Sequence, residues 1–485
     1  MPDVNVVGAG PNGLAAAVVL ARAGLSVHVT ERESRAGGAL RTEQLTLPGF
    51  RHDVGSAVHP AALASPFFQA FGLASRVQFI TPDISYAHPL DDGRAVLAWR
   101  SIDRTADGLG RDSRAWAEVF QPLLNRLDGV VAFTGNQLLR WPDDPRAVLD
   151  YGTRAVALGT ALGRLVFRGE EAAALFAGVA AHAPGRQPSL ATAGAGLLLA
   201  AHAHAGGWAY PVGGSQAIAD ALVADLLAHG GTLRLGTEVQ SPTDLEPSRV
   251  TVLDTSPVFL ERFAGESLPA RYRRGLRRYR YGSGAAKVDF ALSGPVPWAN
   301  PEVGLAPTVH LGGSRAEVRA AERLVARGRL APHPFVLLTQ PGVLDLSRAP
   351  HGRQTLWAYI HVPAGSDQDP TEAVVRQIER FAPGFRQTVL ASSAHSARGL
   401  AALDPNLVGG DILGGAVTLR QLVKRPVLSP TPWKTPVTGL YLCSASTPPG
   451  PAVHGMNGWY AATLVLRDEF GIESLPSLAP DAALA

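Results

Sequence analysis

Val4-Asn5-Val6-Val7-Gly8-Ala9-Gly10-Pro11-Asn12-Gly13 decides how this chain is read. An apolar strand runs straight into G-x-G-x-x-G, and the helix-forming segment Leu14 to Arg22 follows at once. Gly8 permits the tight turn, Gly10 lets the backbone approach a pyrophosphate, and Gly13 lets the helix pack close on the strand. Phosphates then sit against free N–H groups at the positive end of a helix. Gly24 closes that helix, Leu25 to Thr30 reads as the second strand, and Glu31, with Arg32 beside it, stands at its carboxyl end. A carboxylate there can accept both hydroxyls of an adenosine ribose, so the stretch predicts a dinucleotide site.

The chain has 485 residues, enough for two or three domains with ample core. Hydrophobic residues at 46% and charged residues at 18% describe a globular protein, and a net charge of +3 gives no argument for nucleic acid. Cys443 is the single cysteine, which excludes an internal disulfide and a C-x-x-C redox pair, and with them the disulfide-reductase branch of two-dinucleotide flavoproteins. No metal is expected. Gly194-Ala195-Gly196 lies in an alanine-rich helical run and Gly282-Ser283-Gly284 has no acid-ended strand after it, so one dinucleotide site is the simpler count. The first strand begins within three residues, leaving no room for a signal peptide, and a cytoplasmic protein is expected. Leu190 to Ala205 is too short and too interrupted to span a bilayer and reads as a buried helix.

After Pro60 the pattern changes to helices with a few strands, Val77 to Thr81 and Ala95 to Trp99 among them, as far as about Ala205. In this insertion His182 and His204 stand among alanines on helix, each either a hydrogen-bonded core histidine or a polar group facing substrate. Gly206 to Ser215 marks a return, followed by a helix, Gln216 to His229, and strands at Thr232 to Leu235 and Arg249 to Asp254. Arg271 to Tyr281 carries six arginines interleaved with tyrosines; the readings are a solvated helix and turn, a contact with a membrane edge or other anionic partner, and a nucleic-acid face. Of these the nucleic-acid face is set aside. Glu317 to Leu330 reads as an amphipathic helix with a wet charged face.

Further motifs narrow the class. Downstream of Glu31 come Arg35, the doublet Gly37-Gly38, Arg41 and Thr42, then Gly49-Phe50-Arg51-His52-Asp53-Val54-Gly55-Ser56. Gly284 to Leu292 is a strand carrying Lys287. Near the end, Leu440 to Gly450 and Pro451-Ala452-Val453-His454 lead into Gly455-Met456-Asn457-Gly458-Trp459-Tyr460, which opens the last long helix. At these residues the chain resembles the phytoene desaturase-like, phytoene dehydrogenase-related FAD flavoproteins of the amine-oxidase superfamily, a group that includes the pyridine nucleotide-disulphide oxidoreductase domain-containing protein 2 type. The resemblance covers nearly the whole chain in order.

That resemblance implies FAD in place of NAD and an α/β fold: a Rossmann-like FAD-binding domain of the glutathione-reductase/amine-oxidase type with an interleaved α+β substrate domain. The FAD domain is expected from 1–60, 206–290 and 405–475, the substrate domain from 61–205 and 291–404, and a C-terminal tail from 476–485. By the same likeness the doublet Gly37-Gly38 lies beside the diphosphate and ribityl chain, Arg41 and Thr42 belong to the cofactor set, Ser56 stands near the ring at the domain junction, and Val239 pairs with adenine. Ser444, Ala445, Gly455, Met456 and Asn457 lie at the flavin edge, and Gly8, Gly10, Pro11, Asn12, Gly13, Glu31 and Arg32 complete the cofactor set. Lys287 takes the place of a lysine that reaches flavin N5 through one water, where a cation would favour hydride arrival and reoxidation. The competing reading is a lysine snorkelling from a strand edge. His454 either faces the ring or caps the helix. Substrate contacts are expected among His59, His182, His204, Trp208, Trp433 and Tyr460.

The chain also departs from these relatives. Ser444 and Ser446 stand where glycines are usual, Pro448 where histidine is frequent, and Pro451-Ala452 replace a glycine pair, so the pocket at the flavin edge is narrowed. Three functions follow: a dehydrogenase or desaturase taking hydride from a hydrophobic, isoprenoid or polyene substrate; an amine oxidase with oxygen as acceptor; and a flavin-binding scaffold without catalysis. The partner is a small hydrophobic molecule, peripheral membrane contact stays open at the arginine-rich segment, and no oligomeric state is indicated.

Overall fold

Val4–Val7 is buried along its whole length, and a strand apolar on both faces needs cover on both. The computed structural model, which describes residues 1–480, sets it at the centre of a parallel sheet. The order is Leu440–Leu442, Val250–Leu253, Val4–Val7, Val27–Thr30, Thr232–Arg234. Helices Pro11–Arg22, Gln216–Ala228 and Met456–Phe470 cover one face, and Pro257–Ala264 with Leu276 and Val427 covers the other. Pro11 starts its helix where a missing N–H is harmless. Gly13 and Gly458 set the spacing of this layer. A Cβ on Gly13 would stand 2.1 Å from the Gly8 carbonyl oxygen, and one on Gly458 would stand 2.0 Å from that of Asn12, so the first and last helices cross backbone to backbone.

The second sheet has the order Val389–His395, Gly284–Leu292, Gln354–Val362, Val336–Thr339, Thr308–Leu311, Ile84–Pro89, Ala95–Trp99. Pairing is antiparallel except between Thr308–Leu311 and Ile84–Pro89. Alternation along each strand gives it two unlike faces. Val288, Phe290, Leu338, Leu356, Ile360 and Val309 look toward helix Thr371–Phe381 and form an apolar core with Val374, Ile378 and Phe381. Lys287, Asp289, Trp357, Tyr359, His361 and His310 occupy the opposite face, as the register requires.

Strand Gly284–Leu292 belongs wholly to this sheet, so the expected boundary at 290 cuts through a strand. Gly284 already pairs with Val362 of this sheet. The expected strand Val77 to Thr81 shortens to Phe79–Ile80, paired with Tyr210–Pro211. Of the insertion, helices Ser113–Leu124, Glu170–Ala180 and Leu190–Ala205 close around Trp116, Phe120, Phe167 and Trp208.

Ala270–Arg277 is a helix with Leu276 inward and Arg271, Arg274, Arg277, Arg278 and Arg280 exposed. The amphipathic helix spans Arg315–Val325, begun by a capping box of Ser314 and Glu317, and its Glu322 is buried where a wet face was expected. Ser477 and Leu478 of the expected tail are docked, Leu478 in the core beside the first helix and the Ser477 carbonyl accepting from Arg22; residues 481–485 lie outside the described residues. Among the described residues no helix is long and apolar enough to cross a membrane.

The crossing at Gly458 gives a direct test. Gly458→Ala should lower unfolding free energy by at least about 3 kcal/mol, because backbone meets the new methyl. Gly152→Ala, in a helix with open space around the new Cβ, should raise it by about 0.5–1 kcal/mol. Urea unfolding of both variants beside the parent checks the contrast.

Candidate active site

The carboxyl edge of the parallel sheet gathers Gly8 after Val7, Glu31 after Thr30, Asp254 after Leu253 and Cys443 after Leu442. Strands run in opposite directions of order from Val4–Val7, which makes this edge a switch point of the kind where ligands bind. Gly8 has φ +97°, open to glycine at no steric cost. A Cβ on Gly10 would stand 2.7 Å from Asp254 Oδ2, so the turn is closed on one side by a carboxylate. Glu31 is 7% exposed; one oxygen accepts from Ala9 N–H at 2.7 Å and the other from Glu33 N–H at 2.9 Å, which leaves each a further lone pair. Thr237 N–H bonds the Glu31 carbonyl at 2.9 Å and draws Val239 to the same end of the sheet. Arg32 pairs with Glu33 at 3.0 Å.

Asp254 was missed at the level of sequence, although its place directly after the apolar strand Val250–Leu253 marked it. Its Oδ2 accepts from Gly13 N–H at 2.8 Å, and burial pushes it up to about 7. Gly37 N–H bonds the Ala9 carbonyl at 2.8 Å, which lays the doublet Gly37-Gly38 on the turn. Arg41 is 6% exposed and paired with Glu33 at 3.1 Å, and its Nε lies 3.6 Å from a Glu43 carboxylate oxygen.

Next along the chain, Thr42 donates to Asp53 Oδ1 at 2.7 Å, Ser215 N–H bonds the same oxygen at 2.9 Å, and buried Arg348 pairs with Oδ2. Ser215 Oγ donates to the Ser56 carbonyl at 2.7 Å and accepts from His59 Nε2 at 2.8 Å. His59 is thereby committed to the scaffold, and burial pulls it down to about 4.

Lys287 is 3% exposed on an interior strand, so there is no strand edge from which it could snorkel. It is not a lone cation either. Asp289, two residues on and therefore on the same face, takes Nζ at 2.5 Å, His52 Nδ1 lies 3.6 Å from the other oxygen, and Trp357 presents its ring 5.6 Å from Nζ. Burial lowers Lys287 and raises Asp289 to about 6, each against the attraction of the other. Burial also pulls His52 down to about 3. The spacing Lys-x-Asp in a strand was the available signal for Asp289; His52 and Arg348 needed the fold.

At the last loop, Asn457 donates to the carbonyls of Ser444, Thr447 and Pro448 at 2.8–3.2 Å and ties the loop to the helix. Met456 N–H bonds His454 Nδ1 at 3.1 Å, so His454 is a helix-start cap, and its carbonyl accepts from Ser65 at 2.5 Å. Ala452 has φ +144° where a glycine was expected, a conformation that strains a Cβ. Trp433 and Tyr460 come together, ring centroids 4.8 Å apart, with the indole N–H on the Pro448 carbonyl and the phenol on that of Gly135.

Trp208 does not join them. It lies in the helical insertion, bonded to the Leu199 carbonyl, because its turn packs back on Tyr86. His204 is a core histidine: Trp116 donates to Nε2 at 3.0 Å and Nδ1 donates to the Trp99 carbonyl at 2.9 Å. His182 sits in the turn after helix Glu170–Ala180, not on it, and meets His310 at 2.8 Å on the polar face of the second sheet. Among the described residues no group of histidine, cysteine and acidic side chains could hold a metal ion.

Comparison with known proteins adds the following. A family model described as flavin containing amine oxidoreductase matches residues 12–264. Pyridine nucleotide-disulfide oxidoreductase domain-containing protein 2 of Rattus norvegicus is 27% identical over 96% of this chain and 93% of its own. A phytoene dehydrogenase of Streptomyces griseus is 28% identical over 80% of this chain and 77% of its own. The solved cyclohexylamine oxidase from Brevibacterium oxydans IH-35A superposes with a TM-score of 0.61, covering 97% of this chain and 99% of that one at 16% identity, which is a likeness of fold.

Asp254 makes stability depend on pH. With its carboxyl raised from 3.8 to about 7, the folded state holds a proton that the unfolded chain has lost, so stability falls as pH rises from 4 to 7 and levels off above. Asp254→Asn keeps an acceptor for Gly13 and removes the titration. Relative to the parent it should gain roughly 4 kcal/mol between pH 4 and 8, an order-of-magnitude figure, measured by urea unfolding at both values.

Proposed function

This chain belongs to the flavin containing amine oxidoreductases and is an FAD-dependent oxidoreductase, and from that premise we propose that it takes hydride from a hydrophobic substrate, in the manner of a desaturase or dehydrogenase. The family sets aside the scaffold reading. When bound, FAD supplies the hydride acceptor and passes the electrons on.

The residues present fit that cofactor. Glu31 has lone pairs left for a ribose diol, the Gly8-to-Gly13 turn admits no side chain at Gly10, and Asn12 Oδ1 is buried without a hydrogen-bond partner in the protein. In this reading Gly8, Gly10 and Gly13 with Gly37 and Gly38 hold the diphosphate, Glu31 and Val239 the adenosine, and Ser444 to Asn457 the ring edge. Lys287 acts from the junction by holding a proton at Nζ, and Asp289 fixes that nitrogen while lending it negative charge.

One observation carries the substrate class. The carboxylates buried at the junction are already paired, Asp289 with Lys287 and Asp53 with Arg348, so no free acid waits for an ammonium group. The aromatic pair proposed for an amine, Trp433 and Tyr460, is packed ring on ring with its polar atoms on backbone carbonyls. The phytoene dehydrogenase relative is compatible with this reading. An amine oxidase is the second reading, favoured by the fold it shares with cyclohexylamine oxidase.

The first experiment is the visible spectrum of the FAD-loaded protein under anaerobic conditions, with solubilised polyenes in one cuvette and a panel of amines in another. Bleaching by polyenes is expected; bleaching by amines alone would transfer the assignment to the second reading. Lys287→Met should then slow both flavin reduction and reoxidation by about tenfold or more, and unchanged rates in a stopped-flow trace would remove Lys287 from the mechanism.

A further inference from the structure

All three glycines of the first turn rest against one residue. A Cβ on Gly8 would stand 3.0 Å from the Asp254 carbonyl oxygen, one on Gly10 2.7 Å from Asp254 Oδ2, and one on Gly13 3.2 Å from that same oxygen. The side chain is buried, and Oδ2 accepts from Gly13 N–H at 2.8 Å. Among the described residues nothing donates to Oδ1.

No cation is spare to oppose a charge there. Arg41 is held between Glu33 at 3.1 Å and Glu43 at 3.6 Å, Arg32 pairs with Glu33 at 3.0 Å, and Arg35 lies 3.9 Å from Asp220. The charged neighbours that Asp254 does feel are acids. Glu31 takes N–H groups of Ala9 and Glu33 on its two oxygens, and Asp404 is itself raised by burial. Burial, with Asp404 and Glu31 adding to it, pushes Asp254 up to about 7. Cys443, at the end of the adjoining strand, stays neutral because burial and then Asp254 raise it well above the ordinary thiol range. Asp254 is therefore the group at this turn that changes charge near neutral pH.

The two phosphates of FAD bring two negative charges to the same turn, and the low dielectric of a buried site enlarges any repulsion they meet. An ionised Asp254 would face them with no counter-cation. A protonated Asp254 carries its hydrogen on Oδ1, since Oδ2 is taken by Gly13 N–H, and that oxygen becomes a donor. We propose that Asp254 is a positioning residue for the cofactor in its neutral form only: FAD seats on the glycine turn with this carboxyl protonated and is released as it ionises. This rests on the diphosphate lying at Gly8 to Gly13, as proposed above, and adds a proton to its binding. Above neutral pH, binding takes one proton from solvent onto Asp254 and release returns it, while FAD keeps both its charges throughout.

The test dilutes the FAD-loaded protein through its dissociation range between about pH 6 and 9, where FAD itself does not titrate. Released flavin is read by its recovered fluorescence, and far-UV circular dichroism follows the fold at each pH. The parent's Kd is expected to rise about tenfold per unit above pH 7, and so about a hundredfold by pH 9. Asp254→Asn keeps an acceptor for Gly13 and should hold FAD with one affinity across the range. Asp254→Ser cannot titrate either and repeats the test on a second side chain, should the amide variant not fold. Asp404→Asn is expected to keep the slope of the parent.

A flat profile in the parent overturns the inference, as does a slope that survives in Asp254→Asn or Asp254→Ser, or one that Asp404→Asn abolishes. Flavin loss that tracks loss of circular dichroism is unfolding and overturns it too. Gly10→Ala separates the two failures. If that variant retains FAD at pH 6 as the parent does, the turn does not hold the diphosphate, and the placement falls together with the inference. If it loses FAD at least about tenfold more readily, the placement stands, and the pH profiles alone decide the role of Asp254.

Discussion

The carboxylate of Asp53 is the point on which three distant parts of the chain converge. Thr42 and Ser215 occupy one oxygen and Arg348 the other, with all four residues buried. A pair of charges in such a place is costly to remove from water and strongly destabilising to break on one side only, so its main effect is to fix arrangement. It fixes the first sixty residues, the returning segment at 215 and the loop at 348 in one geometry. His52, next in the chain, is thereby set against Asp289, and the two sheets meet where Lys287 stands.

That meeting makes the electrostatics of the junction a closed set. Asp53 with Arg348 and Asp289 with Lys287 cancel locally, and burial disfavours charge on His52 and His59. The carboxyl edge of the parallel sheet is handled differently. There Asp254 has a backbone N–H for a partner and no cation, and burial moves it toward the neutral form.

The loop from Ser444 to His454 shows how the departures from the glycine pattern are accommodated. Asn457 gathers three of its carbonyls, Trp433 takes the indole bond to Pro448, and His454 turns inward to cap the helix. Ala452 remains at φ +144°. The loop is held by the helix that follows it, so a strained alanine persists where a glycine would relax.

Much of this was legible in the residues alone, for reasons of range. The strand, turn, helix and acid from Val4 to Glu31 are contiguous, each with a local physical signature, and the parallel sheet and the cofactor class follow from them. The two faces of the second sheet were half legible: alternation along Gly284–Leu292 announces two faces but not which partner each would meet. The lysine at 287 was seen; its pairing with Asp289 was readable from an i, i+2 spacing and was not read. His204 was left open between a core histidine and a substrate contact, and Trp208 read as a substrate contact, because local composition does not say which neighbour a side chain will pack against.

What the sequence by itself determined, then, is whatever depends on neighbours within about thirty residues: the glycine turn, the acid at the end of the second strand, the helix caps and the strand periodicities. The tertiary structure alone decided which buried charges cancel and which polar atoms are left over. Asp53 and Arg348 are 295 residues apart, and whether Lys287 is a free cation or half of a pair depends on burial that only the packing of two sheets creates.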